Sequence, residues 1–498
     1  MKTTKINRRE FLSKVQGVAV CSVVGGAFVR SGFAAESSLK SAGRPLEIGD
    51  GPQLFLDDYL IERMENLKRE VQSPQRHGPP ILDSKTFGVT QPYLTVLRDD
   101  KKGFRMFYNN GPSFWHAESD DGIHWKNPRV AWERKRGYDC SVVDDGAREP
   151  DPSRRFKAAH WSSTIEDKPG DDGGMWVGFS PDGFNWKLHD KNPVLWTWPE
   201  GWNNYVRYGV GDTLDIYYDP FAKCYRVAIK VNAVTEDGYA PAPKVGKTFR
   251  RLIGMSTSKD FINWEKPWRI HVPDVKDDGL LEFYGMGGMH LRGGLHIGLV
   301  RVLRDDLLCD PGGPKDGIGY TALATSRDGV TWQRYREPFL DRNLAPGSWD
   351  HAMTWMSKAI PVGDEMFFYY GGYARGHKIE AKTERQIGLA RMKKDRYVAL
   401  TPTNGQGMLL TKPFIVPGDK LTINANSARG EVRVRLLDEN GKPLKTLGKS
   451  EAQPVSGDVL AGEVRWEKSL ASLRAKPVRL EFKMRNAAFY GFEFSERG

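Results

Sequence analysis

The chain has 498 residues, 39% hydrophobic, with 53 Gly and 15 Trp; that length allows two or three domains, and the Gly and Trp content suits many short strands and turns. The formal charge is +11, but residues 1–35 hold six Lys/Arg and one Glu, which leaves about +6 for the remainder, with no basic run interleaved with aromatics to point to nucleic acid. Of the four cysteines only Cys140, Cys224 and Cys309 lie beyond that segment, so at most one disulfide is possible, and their spacing has no metal-site pattern. No cofactor and no metal are therefore expected.

The N-terminus reads as an export signal. Asn7-Arg8-Arg9-Glu10-Phe11-Leu12 matches a twin-arginine motif, Val15 to Ala27 is a short apolar run, and Ala34-Ala35 offers a small-residue cleavage site. The expected location is periplasmic or secreted. The apolar run is too short to span a membrane, and no other stretch reaches about 18 apolar residues. Residues 36–50 read as a linker. Leu54 to Ile61 reads as a strand that pairs with the last unit of the fold and closes it; Asp57 and Asp58 within it read as structural.

A short motif then recurs. Ser119-Asp120-Asp121-Gly122-Ile123-His124-Trp125 is followed by Ser180-Pro181-Asp182-Gly183-Phe184-Asn185-Trp186, then by Ser258 to Trp264 and Ser326 to Trp332, with a degenerate copy at Lys394-Asp395-Arg396-Tyr397. The closing aromatics are 61, 78, 68 and 65 residues apart. Repetition of one supersecondary unit at that period means an array. Asp-Gly supplies a tight turn, because Asp bonds its own backbone and Gly tolerates positive φ. Apolar alternation enters each turn and an aromatic leaves it. Five such sheets arranged radially make an all-β, five-bladed β-propeller over residues 51–402. The motif specifies architecture, not chemistry.

Each blade opens on an inner strand: near Thr90-Gln91-Pro92, at Asp139, at Asp212, at Glu282, and around Asp350-His351. After about residue 400 Trp becomes rare and the motif stops. Short strands and the turn Asp438-Glu439-Asn440-Gly441 indicate a β-sandwich over residues 403–498.

Inner strands surround the axis, so their first residues converge at one mouth of the channel. That places Asp139, Asp212, Glu282 and Asp350/His351 together. Paired carboxylates, with one held protonated by its like-charged neighbours, are the equipment for cleaving a glycosidic bond. Around them the loops carry His160, Trp161, Trp202, Arg207, Tyr208, Tyr284, Arg375 and His377; aromatic planes and Arg forks suit a sugar ring or an anionic group. Arg207, Lys230 and Arg375 extend the expectation to an anionic glycan.

The five-unit layout with an acid trio resembles the five-bladed-propeller glycoside hydrolases, the group of arabinanases, β-xylosidases, invertases and levansucrases. Leu54–Glu62, Arg155–Trp161, Gly211–Pro220, Glu282–Met286, Ile387–Leu400 and Thr411-Lys412-Pro413-Phe414 look like exported bacterial proteins described as glycosyl hydrolase family 32 N-terminal-domain-like. The resemblance implies Asp139 as base or nucleophile, Asp212 as the orienting acid and Glu282 as general acid. The acids fall on blades two to four, however, and the invertase-like Asn-Asp-Pro-Asn-Gly signature is absent, which argues against fructose-specific activity. The expected function is a secreted, monomeric glycoside hydrolase acting on a polysaccharide or oligosaccharide. The alternatives are a non-catalytic carbohydrate-binding propeller and, third, a sialidase-type enzyme needing an Arg cluster with a Tyr–Glu pair.

Overall fold

The structure is a computed structural model. It describes residues 44–496 except residues 50, 90, 100–102, 135–136, 166–167, 197–209, 235–248, 278–280, 311–316 and 378–384. The twin-arginine segment lies outside the described residues, as do Trp202, Arg207 and Tyr208.

The five expected blades are present. Inner strands Gln91–Asp99, Tyr138–Asp144, Val210–Asp219, Glu282–Arg292 and Met353–Val362 each begin an antiparallel meander of strands. Each inner strand touches the next, and the fifth touches the first, so the ring is closed. The core is divided accordingly into packed layers between neighbouring blades. Met106, Tyr108 and Val96 of blade one meet Tyr369, Ile387 and Leu389 of blade five, for example. Phe107 and Phe114 meet Val142 and Phe156 of blade two.

The repeated turns are built alike. The serine hydroxyl donates to the turn aspartate, at 3.0 Å from Ser119 to Asp121 and 2.9 Å from Ser326 to Asp328. The same carboxylate accepts two successive backbone N–H groups, as Asp182 does from Phe184 and Asn185, both at 2.8 Å. Burial alone would raise the Asp182 pKa, but these donors win and hold it down at about 2. Trp125 and Trp332 are buried between blades, while Trp186 and Trp264 are half-buried; Trp186 stacks on Trp132 at 5.2 Å.

The fifth copy has been turned to another task. Tyr397 is fully buried, Asp395 takes a bidentate pair from Arg292 of blade four, and Arg396 reaches into the sandwich. There its guanidinium bonds Asn424 Oδ1 at 2.9 Å and the Val459 carbonyl at 3.1 Å.

The sequence boundary at residue 51 does not coincide with sheet membership. Gln53–Leu54 and Ile61–Glu65 hydrogen-bond to Ala488–Ser495 and Gln406–Thr411 of the C-terminal sandwich, not to the last blade. The cause is a two-sided run: Phe55 points into the sandwich core while Leu54 and Leu56 pack on blades four and five. Ring closure falls instead to Gln75–Arg76, which pairs antiparallel with Arg385–Lys393 as the outermost strand of blade five. Asp57 and Asp58 are structural, paired with Arg327 and Arg69. Among the described residues no helix is long and apolar enough to cross a membrane.

Candidate functional site

Two of the acids that open blades two, three and four reach one side chain, Tyr284, each through a cation: Glu282 through Arg251 and Asp212 through Lys230. Glu282 and Tyr284 lie two residues apart on blade four's inner strand, whose pairing with the second strand shifts register at Tyr284. Glu282 is fully buried; its Oε1 accepts from the Arg251 backbone N–H (3.0 Å) and its Oε2 from the Arg251 guanidinium (2.6 Å). That guanidinium lies 5.3 Å from the Tyr284 ring. Asp212, which retains 29% side-chain exposure, is ion-paired with Lys230, and the Lys230 ammonium sits 4.9 Å above the same ring. Asp139 is buried, and its Oδ2 accepts from the Leu214 N–H at 2.7 Å, two residues beyond Asp212. Burial raises the pKa values of Tyr93 and Tyr373 and Asp139 adds a little to each rise; Tyr93 is hydrogen-bonded to both Tyr284 and Tyr373.

Asp139 has φ +67°, a left-handed conformation uncommon outside glycine. Asp tolerates it better than most residues, and such backbone persists where surrounding contacts over-determine it. It aims the carboxylate across to blade three instead of along its own sheet.

Around Tyr284 the cluster continues. The ring stacks on Trp355 at 4.6 Å, and its hydroxyl is 3.1 Å from His377 Nε2. His377 Nδ1 lies 3.6 Å from Asp305, which is itself 3.5 Å from Arg251. Burial, aided by Arg251, takes the His377 pKa down to about 4 against the pull of Asp305, so the ring is neutral at pH 7. Burial would lower Arg251 too, but Glu282 overrides it and keeps the guanidinium charged. Deeper in the channel Asp215 is fully buried and its pKa is raised by that burial, partly offset by Lys358 and Arg301.

The scan of protein-family models gives no match, and the search of curated proteins gives none. Solved structures of similar fold include a glycoside hydrolase (16% identity, TM-score 0.44, covering 65% of this chain and 92% of that one). Another is an N-acetylgalactosamine deacetylase from F. plautii (17% identity, TM-score 0.41, 66% of this chain and 96% of that one). A third is an endo-arabinase from Bacteroides thetaiotaomicron (13% identity, TM-score 0.39, 66% of this chain and 99% of that one). The likeness is one of fold. Any chemistry has to be read from the side chains.

Several residues expected at the mouth are elsewhere. His160 is buried between blades one and two against Trp132 (5.3 Å) and Phe114 (6.1 Å), and burial holds its pKa well below the usual value. Asp350 has no exposed surface: its Oδ2 takes Arg76 at 2.8 Å and the Tyr370 hydroxyl at 2.9 Å, locking the outermost strand of blade five. His160 thus turns to the preceding blade and Asp350 to the outer strands of its own blade, because a residue that pairs with or precedes an inner strand is not bound to face the axis. Trp161 sits at the level of Tyr138, the first residue of blade two, and donates to the Val210 carbonyl at 3.1 Å. His351 bonds Asp310 and the Asn343 carbonyl. Arg375 is exposed after blade five.

Sequence reasoning missed Arg251, Asp305, Tyr93, Tyr373 and Trp355. Tyr93 was findable: blade one offers no carboxylate at its strand start, and Tyr93 is the large polar residue that stands there instead. An open polar cleft of about 490 Å³ on the sandwich, lined by Glu65, Gln406, Glu431, Arg433, Lys483 and Arg485, holds charge pairs but no comparable convergence.

Proposed function

We propose that the protein is a glycoside hydrolase whose reacting carboxylates are Asp212 and Asp139. The observation that supports this is the convergence of Glu282 and Asp212 on Tyr284, through Arg251 and Lys230, with Asp139 bonded to the strand that Asp212 opens. Glycosidic cleavage needs two carboxyl groups flanking the scissile bond, one of them giving or taking a proton. Asp212 is the acid of the three with open surface, and Lys230 beside it favours the ionised form, as a base or nucleophile requires. Asp139 is the second carboxyl group, fixed by the Leu214 N–H.

Glu282 takes a different role from the general acid that the resemblance implied. Both its oxygens are occupied by Arg251 and it has no exposed surface, so it acts as a positioning residue that holds Arg251 over Tyr284. Arg375, exposed after blade five, suits a glycan bearing an anionic group, and export by the twin-arginine signal would bring the enzyme to extracellular polysaccharide.

The test is release of reducing sugar from a panel of neutral and anionic plant and algal glycans. Asp212→Asn and Asp139→Asn should each lower kcat by about 10²–10⁴-fold, the usual contribution of a positioned acid or base. Glu282→Gln should raise KM more than it lowers kcat. Saturable binding without turnover on every glycan would replace this reading with that of a carbohydrate-binding propeller. Turnover that is insensitive to salt would remove the anionic preference, because pairing with an exposed anion weakens as ionic strength rises.

A further inference from the structure

Beside the Tyr284 cluster, three side chains from two separate loops meet. Cys309 and Asp310 follow the second strand of blade four (Leu295–Arg304), and His351 precedes the inner strand of blade five. One ligand-type atom from each lies within 4.8 Å of the others. Cys309 is buried and carries a thiol, not a disulfide; it packs in the same cluster as Tyr284, Trp355 and Tyr373. Asp310 is 65% exposed at its side chain and His351 17%.

The hydrogen bonds of His351 define the chemistry required there. Nδ1 is 3.0 Å from the Asn343 carbonyl, which can only accept, so Nδ1 carries a hydrogen. Nε2 is 2.7 Å from the Asp310 carboxylate, which as an anion also only accepts. Nε2 and the carboxylate thus face each other, with the Cys309 thiol within 4.8 Å of both. The neighbouring thiol distinguishes this place from an ordinary His–Asp pair. We propose that Cys309, Asp310 and His351 form a binding site for a divalent transition cation, with zinc the best fit.

The donor set supports that ion. Thiolate, imidazole and carboxylate are the ligands zinc takes, and a thiolate disfavours calcium or magnesium. The Asn343 carbonyl on Nδ1 is the outer contact that metal-bound histidines usually make. The loops are also pinned before any ion arrives: Arg342 donates to the Cys309 carbonyl at 2.9 Å, and the Asn343 N–H donates to the Asp350 carbonyl at 3.2 Å. Tetrahedral zinc holds its nitrogen and oxygen donors about 3.3 Å apart, so the 2.7 Å contact between His351 and Asp310 would open by about half an ångström while the three donors, now within 4.8 Å of one another, close on the ion. Binding displaces the thiol proton to solvent. The ion would join blade four to the lead-in of blade five and steady the segment that carries Asp305.

The proposal is independent of hydrolysis, and so is its test. The full chain, stripped with a chelator, is titrated with zinc and with cobalt(II). One equivalent should bind, and the cobalt form should show a thiolate-to-metal charge-transfer band in the near ultraviolet. Cys309→Ser should abolish that band, and His351→Gln should weaken zinc binding by at least about tenfold. Zinc should raise the thermal midpoint of the wild-type protein and leave that of Cys309→Ser unmoved. Circular dichroism of the metal-free variants confirms that they fold; should Cys309→Ser not fold, Asp310→Asn, an exposed change, replaces it with affinity as the readout. Absence of saturable binding, or binding with the band intact in Cys309→Ser, overturns the proposal.

Discussion

Two residues with positive φ show how local strain is used differently at a turn and at a site. Three of the four repeated turns put glycine at the left-handed position, whereas the third puts Phe261 there, at φ +69°. The strain is tolerated because the ring is fully buried, 5.1 Å from Tyr225 and 5.7 Å from Trp264. Relieving a left-handed non-glycine residue is worth about 1–2 kcal/mol, but losing a buried Phe ring costs about 3–5 kcal/mol. Phe261→Gly should therefore destabilise by roughly 2–3 kcal/mol, read as a lower urea midpoint at unchanged slope. A midpoint at or above wild type would mean that the turn, not the ring, dominates. Asp139, by contrast, is held left-handed with its carboxylate aimed at blade three. Asn also tolerates that backbone and keeps an acceptor for Leu214, so Asp139→Asn should leave the thermal midpoint nearly unchanged while activity falls. Asp139→Val should lose both.

At the scale of elements, ring closure rests on a very short strand. Gln75–Arg76 makes a two-residue ladder with Arg385–Lys393, continued only by scattered bonds from His77, Ile81 and Leu82 to Leu389 and Ile387, and so short a ladder is weak by itself. Arg76 adds what the ladder lacks, through its pair with fully buried Asp350. Removing one partner of such a pair leaves a buried charge and costs about 3–5 kcal/mol. Arg76→Met should destabilise by that amount with KM and kcat unchanged; a large rise in KM instead would return Asp350 to the binding site. This pair also shows where sequence reading reaches its limit. The blades were legible because each turn is a local device: Ser, Asp and Gly within a few residues make their own hydrogen bonds, and the period does the rest. Asp139, Asp212 and Glu282 were legible as strand starts. Arg251, Asp305 and Tyr373 were not, because they come from second strands, third strands and loops, and only the closed ring brings them to Tyr284. Leu54 to Ile61 misled for a related reason: a run apolar on both faces fits a closing strand and a domain junction equally well.

For the whole molecule, the dominant electrostatic feature is the number of histidines buried in the neutral form. Burial, with help from neighbouring arginines, lowers His116 and His271 to about 3, and burial lowers His290, His296 and His377 to about 4. They are spread over several blades and their contacts, so no single one controls the response. In the unfolded chain each takes a proton near pH 6.5, whereas the native state resists until about pH 4 or below. Between those values the unfolded state binds more protons, so stability rises with pH across that window and is lost as pH falls. Each pH unit of displacement corresponds to about 1.4 kcal/mol, so the five together are worth several kcal/mol even after generous discounting for local relaxation. The turn aspartates add a later loss, because Asp182 and Asp260 are held at about 2 and are protonated in the unfolded chain near pH 3.8. Urea midpoints should therefore be flat from about pH 8 to pH 7, fall steadily from about pH 6.5 to pH 4, and go on falling below it. His271→Phe, which replaces a buried ring beside Phe283 at 6.0 Å, should shallow the decline from about pH 6.5 down to about pH 3. A profile that stays flat down to pH 4 would mean that the buried rings are protonated in the folded protein, through contacts other than those described.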